Sequence, residues 1–144
     1  GKIAIANAKV AYAHFFDVVK TPRWRRLADK GARVQRPLWA STSTKNPNYP
    51  DTLYIDNLIG ADTVNTVPLD TLDAWIDHGR AELTLMSGLE EAQRQLGALA
   101  AMGVDLDTVT DQLTRLSQAA PEAKKNSQPK SGRNASGKPT PSSG

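Results

Sequence analysis

Apolar residues at helical spacing divide most of the chain into amphipathic segments. Residues 3–19 place apolar side chains three or four positions apart, which predicts a helix that ends near Lys20, just before Pro22. A second short helix is expected over about residues 23–30, with Pro22 in its first turn and Gly31 after its end. Helices are also predicted over about residues 51–59, 70–78, 87–102 and 107–116.

Two short segments show the pattern of strands instead. Residues 38–41 belong to an apolar run bounded by turn formers, and residues 63–67 are rich in β-branched side chains and end at Pro68. Strands that alternate with helices are typical of parallel α/β folds. Because two strands cannot cover so many helices, we expect an α/β fragment of a longer protein. The helical pattern at Gly1, without an initiator methionine, favours the same view.

The first predicted strand leads directly into a very polar turn. Four hydroxyl residues, Ser41-Thr42-Ser43-Thr44, are followed there by Lys45. In parallel sheets and barrels, ligands bind at the carboxyl ends of the strands, and hydroxyl and ammonium groups are hydrogen-bond donors. The pattern therefore favours a site for an anionic ligand such as a phosphate. The other interpretation is a Ser/Thr-rich turn with an exposed lysine, and these residues alone do not separate the two.

Composition divides the chain into a globular segment and a polar tail. Residues 121–144 contain no Val, Ile, Leu, Met or aromatic residue, so we expect a disordered basic tail there and a folded part over residues 1–120. The chain has 18 basic and 15 acidic residues, and the tail holds five of the basic and one of the acidic ones. The folded part therefore has 13 basic and 14 acidic residues, a net charge of −1. This balance argues against nucleic acid as the main partner.

Several other kinds of chemistry lack the residues they need. The sequence has no cysteine, which excludes disulfides, thiolate catalysis and Cys-ligated zinc. The two histidines, His14 and His78, have no paired ligand spacing, so no metal and no cofactor is implied. No run approaches the roughly 18 apolar residues of a membrane span, and the first apolar run is too short for a signal peptide. We expect a soluble, cytoplasmic protein without a membrane partner.

Five blocks of the sequence resemble the transaldolase family in its longer bacterial form. They are GKIAIANAK at residues 1–9, RPLWASTSTKNP at 36–47, YPDTLY at 49–54, DTVNTVP at 62–68 and DHG at 77–79. The resemblance covers about residues 1–113 and corresponds to the C-terminal part of the family. Its most specific block is WASTSTKNP. Beyond residue 113 the chain departs from the family, which continues with a glycine-containing turn and a final amphipathic helix.

The resemblance implies a (β/α)8 TIM barrel in which the two predicted strands are strands seven and eight. It also implies a transferase of the pentose phosphate pathway, which moves a three-carbon ketol unit between sugar phosphates through a Schiff-base lysine. That lysine lies on the family's fourth strand, so no catalytic residue is expected in this chain. The implied partners are a sugar-phosphate substrate and the upstream barrel strands of the same protein.

The resemblance also implies which residues hold the substrate phosphate. Ser41 matches the family's phosphate-binding serine. Ser43 occupies the position at which some relatives have an arginine for the same phosphate. Lys45, two residues further on, is a candidate substitute, because lysine serves as a point-charge phosphate ligand without the bidentate fork of arginine. Lys45 itself lies in a polar loop, not in the setting that a Schiff-base lysine needs.

Two other interpretations of the chain stay open at this point. The first is a non-catalytic binding or interaction fragment, whose basic tail contacts acidic surfaces in a salt-dependent way. The second is a defective truncated product, because an incomplete barrel exposes strand edges and apolar helix faces. The enzyme interpretation predicts upstream strands that include a lysine in an apolar context. The binding-fragment interpretation predicts a soluble monomer.

Overall fold

The computed structural model describes residues 1–126, with side chains described to residue 118. In that part of the chain six helices and two strands follow one another in the predicted order. They are α1 (Lys2–Val19), α2 (Pro22–Ala28), β1 (Leu38–Trp39), α3 (Leu53–Asn57), β2 (Val64–Asn65), α4 (Leu69–His78), α5 (Leu89–Ala101) and α6 (Leu106–Asn126). Residues 1–104 form one compact unit, and α6 belongs to a second unit that begins at Asp105.

The first two helices are close to their predicted bounds. α1 ends at Val19, with Lys20 as its C-cap, and Thr21 caps α2 because its Oγ1 accepts a hydrogen bond of 3.2 Å from the backbone N–H of Trp24. Pro22 is the first residue of α2, where its missing N–H costs nothing. Gly31 follows α2 with a φ of 90°, a left-handed conformation that glycine adopts readily.

The two strands pair in parallel, as predicted. Leu38 lies opposite Val64 and Trp39 lies opposite Asn65. Both strands are shorter than the predicted ranges 38–41 and 63–67. Ser41, inside the first predicted range, has a φ of 58°, which turns the chain out of the extended conformation after β1. Asp62, with a φ of 55°, turns the chain in the same way just before β2.

The core lies between α1 and the segments that follow α3 and α4. Tyr12, Leu58 and Leu85 are buried together, and Ile5, Ala8, Phe15, Phe16 and Trp39 pack against them. The hydroxyl of Tyr12 donates a hydrogen bond of 2.7 Å to the carbonyl of Ala61, so its polar end is satisfied inside the core. α1 therefore supports both the strand that precedes the polar turn and the turn after α3.

A buried lysine joins α1 to the segment before α5. The ammonium group of Lys9 donates hydrogen bonds of 2.5 Å to the carbonyl of Thr84 and 2.8 Å to that of Ser87. Burial lowers the pKa of Lys9 below its ordinary value, because desolvation disfavours the charged form. These bonds accompany the packing of α5 against α1.

The last helix differs most from its prediction. α6 continues to Asn126, ten residues beyond the predicted end at Leu116, and it includes the first six residues of the predicted tail. Ala, Glu and Lys on both sides of Pro121 are strong helix formers, which favours continuation even though proline is unfavourable inside a helix. Residues 127–144 lie outside the described part of the chain, so disorder there stays a prediction.

Two other differences concern α3 and α4. α3 ends at Asn57, earlier than predicted, and the hydroxyl of Thr52 donates to Asp56 rather than capping the helix. The predicted apolar face of α4 is only partly covered, since Ile76 is 70% exposed. None of the described helices is long and apolar enough to cross a membrane.

Candidate functional site

A cleft of about 680 Å³ separates α1 from β1 and the turn that follows it. We call residues 40–52, between β1 and α3, the hydroxyl loop. Ser41, Ser43 and Lys45, the three residues expected to bind phosphate, all line this cleft. The other lining residues are Ala4, Asn7, Ala8, Ala11, Leu38, Trp39, Ala40, Thr42, Asn46, Tyr49, Tyr54 and Leu58. The structure therefore brings the three candidate residues to one place, at the carboxyl end of β1.

The first residues of the hydroxyl loop differ in exposure. Ser41, in the left-handed conformation, is exposed, whereas the next residue, Thr42, is only 3% exposed. The hydroxyl of Thr42 donates a hydrogen bond of 2.8 Å to Oδ1 of Asn65, at the end of β2. Thr42 therefore attaches the loop to the neighbouring strand. Ser43 is half-buried.

The middle of the loop is held by its own polar groups. The hydroxyl of Thr44 donates a hydrogen bond of 3.3 Å to the carbonyl of Pro50. Oδ1 of Asn46 accepts one of 3.0 Å from the backbone N–H of Asn48. Lys45 lies between these two residues and is exposed. Among the described residues no carboxylate lies within 4 Å of its ammonium group, so its charge has no partner in this part of the chain.

Trp39, which lines the cleft, has a buried donor without a partner among the described residues, and the sequence did not indicate this. Nε1 of Trp39 is buried and has no hydrogen-bond partner among the described residues. Buried polar atoms nearly always have a partner, and the indole N–H can only donate. The side chain of Trp39 thus has a free donor in need of an acceptor.

The far end of the hydroxyl loop is attached to α4 by His78. Nε2 of His78 lies 2.9 Å from Oδ1 of Asp51, the last but one residue of the loop, and Nδ1 lies 3.0 Å from Oδ2 of Asp77. The hydrogen bond to Asp51, helped by that to Asp77, raises the pKa of His78 above its ordinary value. The same bond lowers the pKa of Asp51. The sequence did not reveal this pair, whose members are 27 residues apart.

A second carboxylate fixes the end of α4 to α3. Oδ1 of Asp56 accepts hydrogen bonds of 3.0 Å from Nε1 of Trp75 and 2.9 Å from the backbone N–H of Arg80, and Oδ2 accepts one of 2.7 Å from Thr52. In the described residues no group of three or more histidine, cysteine or acidic side chains is arranged to hold a metal ion. The acidic residues near the loop are therefore parts of its scaffold.

The sequence blocks that form this cleft are shared with known proteins. A family model described as Transaldolase/Fructose-6-phosphate aldolase matches residues 1–123. The chain belongs to this family. The match includes α1, both strands and the whole hydroxyl loop, and it confirms the resemblance to transaldolase drawn from the sequence.

Curated relatives share about half of their matched residues with this chain. The chain is 57% identical over 113 residues to a transaldolase of Neisseria meningitidis serogroup C (strain 053442). The matched residues are 78% of the chain and 32% of the relative. Over 116 residues it is 53% identical to a transaldolase of Acidothermus cellulolyticus, with 79% of the chain and 31% of the relative covered. A transaldolase of Frankia alni is 51% identical over 113 residues, which are 78% of the chain and 30% of the relative. The chain thus spans about a third of the length of the curated relatives it matches.

The architecture agrees with membership of the transaldolase family. Two parallel strands among helices are consistent with part of the TIM barrel that the resemblance implies. The residues that sequence reasoning missed, Thr42, Asp51 and His78, act through contacts across the fold. Their signal in the sequence is the presence of Asp51 and His78 within the blocks YPDTLY and DHG, which carry the resemblance.

Proposed function

We propose that this chain is the phosphate-binding end of a transaldolase, an enzyme that transfers a three-carbon ketol unit between sugar phosphates in the pentose phosphate pathway. The observation that supports this most directly is the position of Ser41, Ser43 and Lys45 on one cleft, at the carboxyl end of a parallel strand. That end of the strands is where α/β barrels bind their substrates.

The donors at the cleft suit a phosphate group. Ser41 and Ser43 offer hydroxyl groups, and Lys45 offers an ammonium group with no carboxylate within 4 Å in the described part. Hydrogen bonds from a charged donor to phosphate oxygens are shorter and stronger than those between neutral groups. The assignment of phosphate binding to Ser41, Ser43 and Lys45 is therefore chemically consistent.

The Schiff-base lysine of the proposed reaction lies outside this chain. Lys45 is exposed, and a lysine nucleophile is activated by burial or by a nearby cation. Lys9 is buried and its pKa is lowered by that burial, but its ammonium group donates to the carbonyls of Thr84 and Ser87, and Lys9 does not line the cleft. We therefore expect the 144-residue chain to be inactive alone, and to be active only with the upstream strands of the same cytoplasmic protein.

Exposed apolar side chains support a role for those upstream strands as partners. Leu38 and Val64, which lie opposite each other in the sheet, are 54% and 40% exposed, and Leu69 at the start of α4 is 75% exposed. A soluble domain seldom leaves such residues uncovered together. The same exposure favours a second candidate, a truncated product that aggregates. The third candidate is an interaction fragment that stays monomeric. Sedimentation of the purified chain distinguishes this monomer from an aggregating product.

The test uses the complete enzyme and three single variants. For Ser41→Ala and Lys45→Ala we expect KM for a sugar phosphate to rise about ten- to a hundredfold, the usual loss for a hydrogen bond to a charged group, with a smaller change in kcat. Lys30→Ala removes an exposed lysine that does not line the cleft, so it should leave KM unchanged. A fall in kcat with an unchanged KM would contradict phosphate binding by Ser41 or Lys45.

A further inference from the structure

His78 stands between two carboxylates that belong to different parts of the fold. Nε2 faces Asp51 of the hydroxyl loop and Nδ1 faces Asp77 of α4, at 2.9 and 3.0 Å. A neutral imidazole has one N–H and can donate to only one of them, whereas the imidazolium ion donates to both. The geometry therefore requires a protonated ring if both bonds are formed. These two carboxylates are the charged groups that act on His78 in the described structure.

The position of α4, which carries His78, does not depend on the protonation of His78. The C-terminal end of α4 is fixed to α3 by hydrogen bonds from Nε1 of Trp75 and the N–H of Arg80 to Asp56. Neither donor titrates in the accessible pH range. Loss of the proton from His78 therefore leaves α4 in place and affects what His78 holds.

What His78 holds is the end of the hydroxyl loop. Asp51 follows Pro50, whose carbonyl accepts the hydrogen bond from Thr44, and Thr44 stands between Ser43 and Lys45. A chain of two hydrogen bonds thus runs from α4 to the centre of the loop. We propose that His78 is a positioning residue, whose protonated ring holds the segment of the hydroxyl loop around Lys45 through Asp51 and releases it as the pH rises.

The direction of the pH effect follows from the two linked groups. His78 has a raised pKa in the folded chain. Its contribution to the stability of the attachment is therefore complete below its ordinary pKa of about 6.5 and is lost as the pH rises through the raised value. Asp51 has a lowered pKa, so its contribution is present above its ordinary pKa of about 3.9 and is lost as the pH falls through the lowered value. The attachment is complete between about pH 4 and 6.5.

The test measures the ring and the loop in the 144-residue chain by NMR. A His14→Gln background leaves His78 as the single histidine. We expect both ring nitrogens to be protonated at pH 6, with a titration midpoint above the ordinary value. Amide protection factors in residues 43–51, corrected for base-catalysed exchange, should fall about two- to fivefold as His78 loses its proton, as for an exposed ion pair.

Two matched variants separate the attachment from a general effect of charge. Asp51→Ala should give low loop protection at every pH, whereas Asp77→Ala, which removes the same charge from the other side of the ring, should keep the pH dependence with a lower midpoint. Equal effects of the two variants, a loop that ignores the titration, or an unshifted midpoint as in an unfolded chain would each overturn the proposal.

This inference rests on the proposed function only in giving the loop a phosphate to bind. The NMR experiment contains no phosphate, so its failure leaves phosphate binding by the loop intact. A subsequent titration with inorganic phosphate at pH 6 tests phosphate binding by the loop, through changes in the amide chemical shifts of residues 41–46. A loop that responds to pH but not to phosphate would confirm the attachment by His78 and count against the proposed function alone.

Discussion

Replacement of Thr42 by valine tests whether the start of the hydroxyl loop is held by β2. Valine has the shape of threonine without its hydroxyl, and Thr42 is 3% exposed. The change removes the 2.8 Å hydrogen bond to Asn65 and leaves Oδ1 of Asn65 without this donor. We expect the free energy of unfolding to fall by about 1–3 kcal/mol, the usual cost of a buried polar group that loses its partner.

The assay is a double-mutant cycle measured by urea unfolding. Thr42→Val, Asn65→Ala and the double variant should show a coupling free energy of about 0.5–1.5 kcal/mol, because removal of both partners leaves no unsatisfied group. A matched cycle pairs Asn65→Ala with Thr52→Val, since Thr52 is equally buried but donates its hydrogen bond to Asp56. Additive effects within about 0.3 kcal/mol in the first cycle, or equal coupling in both, would refute the assignment.

Two further predictions concern the isolated chain. It should not turn over a ketose phosphate, and borohydride added with that substrate should leave no adduct by mass spectrometry; an adduct on Lys45 would overturn our placement of the nucleophile. Gly60→Ala should lower the free energy of unfolding by about 1–3 kcal/mol, because its Cβ would lie 2.7 Å from Cδ2 of buried Leu85. Gly97→Ala, with no atom within 4 Å of its Cβ inside α5, should instead raise it by about 0.5–1 kcal/mol; equal effects at both glycines would contradict this packing.

The elements that rest on local patterns could be predicted from the sequence. α1 ends at Val19 because Pro22 disfavours its continuation, and the two strands pair in parallel because helices separate them along the chain. The position of Ser41, Ser43 and Lys45 at the carboxyl end of β1 also follows from the local sequence, whereas their role in binding stays a prediction. These signals depend on residues within a few positions of each other, so they can be recognised in a single sequence without knowledge of the fold.

What could not be predicted depends on contacts between distant residues. The run of four hydroxyl residues is uniform in the sequence, yet Thr42 is buried against β2 while Ser41 is exposed. Which hydroxyl turns inward is decided by the left-handed backbone of Ser41 and by Asn65, 23 residues after Thr42. The partner of His78 is hidden for the same reason.

Net charge also concealed a local feature of the folded part. The net charge of −1 over residues 1–120 is the ground for expecting no nucleic-acid partner, but residues 20–36 contain seven basic residues and one acidic residue. Those basic residues are exposed on α2 and on the segments that flank it. The total charge therefore does not describe how the cations are distributed along the folded part.

The hydroxyl loop is attached to the fold at two points of different chemistry, and this difference predicts how it responds to pH. Near its start, Thr42 donates to the amide of Asn65, and neither group titrates. Near its end, Asp51 pairs with His78, which loses its proton as the pH rises. A rise in pH should therefore loosen the segment around Lys45 and leave Ser41 in place. If the loop binds phosphate as proposed, binding should weaken above neutral pH through the contact of Lys45, whereas the contact of Ser41 should persist.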